Sequence, residues 1–159
     1  MICEKILGKV TDEIFSGKKV DYVDISWDEA FKKIHRKTSA AGTEIGIRLD
    51  DSVLTRGLNQ DDVLAVQGDT VFAVNILPCE AIEIHIDRHH PHMTAKVCYE
   101  IGNRHAPLFW GTEEGTFLTL YNEPMRAMLE KLHGVTVEVK EVKLDFDRRI
   151  SASVHSHTH

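Results

Sequence analysis

The chain has 159 residues, room for one ordinary domain or two small ones with a buried core. Its formal net charge of -6 disfavours a phosphate-binding surface and argues against nucleic acid as a partner. Its three cysteines, Cys3, Cys79 and Cys98, are widely spaced and lack a Cys-x-x-Cys pair, so they indicate neither a disulfide framework nor a thiolate zinc site. Charges in Met1-Ile2-Cys3-Glu4-Lys5 fall where a signal peptide needs an apolar run. No later apolar run is long enough to span a bilayer, so the expected location is the cytoplasm, with no membrane partner. Ten histidines are the anomaly. Neutral imidazole is the commonest metal ligand among side chains, and this excess points to metal chemistry.

Residues 1–77 read as a small, mostly β, sandwich-like domain. Ile2 to Val10 and Val20 to Ile25 have β-branched or alternating character. Ser26-Trp27-Asp28-Glu29 then matches a capping box, which predicts a helix through Phe31 and Ile34. The Ala41-Gly42 turn leads into the strand pattern Glu44 to Leu49. Val63 to Val66 and Val71 to Val74 flank Gln67-Gly68-Asp69-Thr70, the pattern of two buried strands in a tight hairpin. Pro78-Cys79-Glu80 interrupts the apolar pattern and marks the domain boundary.

Residues 78–143 read as strand, helix, strand, strand, helix, strand, a ferredoxin-like βαββαβ order that makes the whole chain α+β. Ala81 to Ile86 alternates strictly. In the helix that follows, Val97, Cys98 and Ile101 share one face, with Pro91 suited to the first turn. Gly102 or Asn103 can take the left-handed conformation that closes a helix, which puts His105 just past the end. Pro107 prevents any continuation. Leu108 to Trp110 and Phe117 to Tyr121 are strands around a turn at Gly111 to Gly115. Pro124 opens a second helix with Met125, Met128, Leu129 and Leu132 on one face, ended by Gly134. Val135 to Val142 alternates as the last strand. Residues 144–159 lack the apolar content to pack on their own and read as a flexible tail carrying His155, His157 and His159.

The run from Ala95 to Leu108 carries a family likeness. Gly102-Asn103-Arg104-His105, preceded by Cys98-Tyr99-Glu100-Ile101 and followed by a small residue, resembles the signature of the urease accessory nickel metallochaperones, UreE. The likeness extends over nearly the whole chain and includes Trp27, the basic run Lys32 to Lys37, and Gly42 to Leu49. It implies a strand at Lys32 to Thr38, against the local capping signal. It also implies that the chain is not an enzyme: it would bind nickel through His105, with zinc a possible competitor, and serve urease maturation. Nickel delivery in the family is coupled to GTP hydrolysis, and the chain has no Gly-x-x-x-x-Gly-Lys-Ser/Thr loop. The implied partners are therefore an accessory GTPase and apo-urease, with the N-terminal domain docking partners.

On spacing alone His105 is open between a metal ligand and a cap interacting with the negative end of its helix; the resemblance selects the ligand. One imidazole makes a weak site, whereas a two-fold homodimer would bring two copies of His105 to one ion at the subunit interface. Asn103 and Arg104 then shape the loop or serve the interface, since a guanidinium repels a divalent ion. Alternate histidines at His155, His157 and His159 could turn to one side of an extended segment. The resemblance has them complete or supply the shared site, His155 first; the alternative is a solvated tail that binds metal weakly. His89-His90-Pro91-His92 matches no family motif and reads as a solvated strand-to-helix loop. Two other functions remain: a histidine-rich metal storage or buffering protein, and a metal-dependent hydrolase with Glu100 as its acid or base.

Overall fold

In the computed structural model, which describes residues 1–150, the chain forms two units, Met1–Leu77 and a second beginning at Pro78. The first contains strands β1 (Ile2–Cys3), β2 (Gly8–Lys9), β3 (Lys19–Ile25), β4 (Ile34–Thr38) and β5 (Glu44–Arg48), the single-turn helix α1 (Val53–Arg56), and strands β6 (Asp62–Gln67) and β7 (Thr70–Ile76). They make a three-stranded sheet in the order β1-β5-β4 and a four-stranded sheet in the order β2-β6-β7-β3. The expected hairpin forms: Gln67 pairs with Thr70 across a turn in which Gly68 has φ 59°. Val71, Ala73 and Val74 are completely buried, as near-continuous apolar runs of a central strand should be.

The capping signal at Ser26 forms only a turn, and the strand implied for Lys32 to Thr38 follows it as Ile34–Thr38. The Ser26 N–H donates to Glu29 Oε2 at 3.2 Å, the returning half of a capping box, and Ala30 N–H reaches Ser26 O at 3.1 Å. The helix does not propagate. Glu29 Oε2 also receives Lys37 Nζ at 2.7 Å from β4, and this contact, above all, holds the Glu29 carboxyl down at a pKa of about 2. Ala30 and Phe31 are buried at the turn, and the chain runs extended from Ile34. Tertiary burial has overridden a local helix start.

The second unit contains β8 (Cys79–Ile86), α2 (Met93–Asn103), β9 (Leu108–Trp110), β10 (Thr116–Leu120), α3 (Glu123–Glu130) and β11 (Val135–Val142). The sheet order is β11-β8-β10-β9 with every pair antiparallel, the ferredoxin-like arrangement. Alternation in β8 sends Ile82 and Ile84 to one face. There they meet Met93, Val97 and Ile101 of α2 and Met125 and Leu129 of α3, with Phe117 and Val135 closing the core. Asn122 caps α3 by accepting the Met125 N–H at 2.8 Å.

The loss of packing expected after Lys143 does not hold for residues 144–150. Leu144 and Phe146 are buried, Phe146 lies 6.4 Å from Phe109 ring to ring, and the Ile150 N–H donates to Leu108 O at 2.9 Å. Two apolar residues suffice because they cover a sheet face that the helices leave open, rather than forming a core of their own. Arg149 bridges to Phe109 and so blunts the β9 edge.

Candidate metal centre

Helix α2 ends in a Schellman turn. The Ala106 N–H reaches Ile101 O at 3.3 Å and the His105 N–H reaches Gly102 O at 3.0 Å, while Ala106 packs back onto the core beside Ile101. The left-handed position of that turn is filled by His105, with φ 56°, and not by Gly102 or Asn103 as the sequence suggested. The turn closes later because α2 continues through Asn103, with Arg104 at φ -91°, ψ 6° as its C-cap. Glycine is the ordinary occupant, and a side chain there costs roughly 1 kcal/mol. Only Asp61 among the other described non-glycine residues has positive φ. The backbone conformation by itself does not favour histidine at this position.

His105 is exposed and lies at the negative end of the helix, a favourable field for a cation. Arg104 does not compete for that place: its Nη1 donates to Glu100 Oε2 at 2.6 Å and to Glu100 O at 3.0 Å. Glu100, the acid that a hydrolase would require, is thereby committed to an ion pair. Beside His105, α2 presents Ala95, Tyr99, Gly102 and Asn103 to the outside, and Tyr99 is 68% exposed. Small residues around an exposed aromatic ring suit close approach of another surface.

His155, His157 and His159 lie outside the described residues. His85 is on β8, where its Nε2 contacts Glu83 Oε1 at 2.8 Å, and Glu138 completes a group whose ligand atoms lie within 4.8 Å of one another. Glu83 in that group is already engaged, since Lys140 Nζ sits 2.6 Å from its Oε2 and is the main cause of its lowered pKa. The cysteines are poor thiolate donors, because burial pushes all three thiols up, and Cys98 packs on the core as expected.

The loop His89-His90-Pro91-His92 is not simply solvated. His90 packs against His133, Nε2 to Nε2 at 3.0 Å. His133 carries no local motif, so sequence reading passes over it; only the distant pairing of β8 with β11 brings it there. The Glu83–Glu138 pairing was more accessible, since aligning two alternating strands places them opposite one another.

Among the described residues no helix is long and apolar enough to cross a membrane. Residues 3–77 match the family model for the UreE urease accessory protein, N-terminal domain, and residues 80–159 match that for its C-terminal domain. The urease accessory protein UreE of Helicobacter acinonychis (strain Sheeba) is 42% identical over 154 residues, 97% of this chain and 88% of the relative. That of Helicobacter pylori (strain ATCC 700392 / 26695) is equally similar, at 42% over the same shares. The Helicobacter bizzozeronii protein is 34% identical over 153 residues, 96% of this chain and 84% of the relative. With both domains matched in order, the chain belongs to the UreE family of urease accessory proteins, which are chaperones and not enzymes.

Proposed function

We propose that this protein carries nickel(II) for assembly of the urease active site. It binds the ion through His105 in a homodimer, in the cytoplasm, and passes it to an accessory GTPase and on to apo-urease. The observation that carries this reading is the histidine in a left-handed helix cap. A side chain in a backbone conformation that suits glycine marks a candidate for a role beyond the fold, and an exposed imidazole at a helix C-terminus suits a cation.

A single imidazole leaves most of the hydration shell of nickel in place, so a two-fold axis at His105 supplies the second donor. The exposed stripe around Tyr99 is the surface available for that approach. Tail histidines add to the same ion: Ile150 is hydrogen-bonded to Leu108, next but two after His105, and an extended chain from Ile150 to His155 spans at most about 18 Å. His155, His157 and His159 are the donors on that segment, and zinc competes for the same nitrogens. Each imidazole is released singly, so ligand exchange can hand the ion on. The N-terminal unit docks the partner proteins.

Nickel titration of the wild type and of His105→Ala, with mass measured in solution, tests this reading. The wild type should bind its tightest nickel at one ion per two chains and lose that event on substitution. Retention of the event, with only a fractional drop in capacity, would instead mark a histidine-rich buffer.

A further inference from the structure

At the other end of α2, two loops meet. The strand-to-helix loop brings Asp87, His90 and His92, and the turn after α3 brings His133 and Gly134. They are tied together by the Asp87 N–H, which donates to Gly134 O at 2.8 Å, while the His90 N–H donates to Asp87 O at 2.8 Å. Gly134, at φ 74°, leaves the room: a Cβ there would come within 2.8 Å of His90 Cβ and Cγ. The two imidazoles are brought to a point by backbone that is itself fixed.

Their geometry is that of two donors to one ion. The Nε2 atoms are 3.0 Å apart, the ring centres 4.5 Å, and the ring planes 88° to one another. Two imidazoles at right angles on an ion, each with a metal–nitrogen bond of about 2.05 Å, would have nitrogens about 2.9 Å and ring centres about 4.5 Å apart. On the far side of His90, buried Nδ1 faces Asp87 Oδ2 at 3.5 Å, the position of the carboxylate that orients a metal-bound histidine. With its proton on Nδ1, the side that faces Asp87, His90 would leave Nε2 bare to accept from His133 Nε2–H. A cation would replace that one proton, which moves through water to His133 Nδ1.

We propose that His90 and His133 form a second site for a divalent transition ion of the nickel, copper and zinc class, with His92 as a third donor. The ring of exposed His92 is centred 6.0 Å from that of His90. Nitrogen donors select this class over calcium or magnesium. The site lies within one chain and is separate from His105, because the 11 residues of α2 between them span about 16 Å. It does not depend on the nickel-carrier reading of His105.

The test is nickel(II) titration of the full chain, followed by the histidine ring signals in carbon-edited NMR and by calorimetry. The His90 and His133 ring signals should broaden together in both wild type and His105→Ala, while those of His35, buried in the other unit, stay sharp. The variant His90→Gln with His133→Gln, its circular dichroism unchanged, should lose one nickel equivalent per chain and keep the tightest event. In His133→Gln alone, broadening at His90 should weaken at least tenfold in nickel concentration. Unmoved His90 and His133 signals at several equivalents of nickel, or an unchanged number of equivalents in the double variant, would overturn the proposal.

Discussion

The two ends of α2 present histidine in opposite ways. At the C-terminal end His105 is exposed, set in a backbone conformation that suits glycine, and supported by the negative pole of the helix. At the N-terminal end His90 is packed over Gly134 and aimed at His133, against the unfavourable positive pole, with Asp87 behind it. On the proposed reading one end offers a single donor that needs a second molecule, and the other offers two imidazoles already converged. Electrostatic field and preorganisation are separate routes to an ion site. The difference also fixes a contrast in behaviour: binding at His105 should weaken as the protein is diluted, and binding at the His90–His133 pair should not.

His105→Ala should lower affinity for the tightest nickel by about a hundredfold or more, by analogy with the loss of supporting groups around a metal, which already costs up to about that much. Calorimetry checks it. Next, Gly134→Ala acts only at the other end. It forces a Cβ against His90 in a left-handed backbone, should cost roughly 1–3 kcal/mol in denaturant unfolding, and should leave the tightest nickel event intact. Acidification then tests what the two ends share, since protons compete with metal for every imidazole nitrogen; nickel affinity at both should fall as pH falls.

The smallest effect lies in the first unit. Glu29 has its pKa held down at about 2, chiefly by Lys37. A carboxylate depressed in the folded state adds stability that is complete above its ordinary value near 4.5 and is lost as pH falls towards about 2. Lys37→Met should return the Glu29 titration, followed by NMR, towards 4.5.

Legibility in the sequence follows the same division between what is local and what is assembled. The βαββαβ order could be read because alternation in Ala81 to Ile86 and Val135 to Val142, and helical spacing in Val97 and Ile101, are properties of short windows. His105 could be singled out as a candidate because its motif is contiguous. His133 could not, because its partner is 43 residues away and nothing in its neighbours announces the meeting. At Ser26 the local signal was real and still yielded only a turn, since Lys37 and the burial of Phe31 draw the chain into β4. The packing of Leu144 and Phe146 was hidden for a related reason: two apolar residues look too few until the open sheet face beside Phe109 is known.

On the nickel-carrier reading, His105 serves a metal at the expense of an easier backbone. His105→Gly measures both sides at once, because glycine adopts φ 56° without strain. Denaturant unfolding and nickel calorimetry on this one variant should show stability unchanged or raised by up to about 1 kcal/mol, together with loss of the tightest nickel event. A variant that is clearly less stable yet binds nickel as tightly as the wild type would contradict the account.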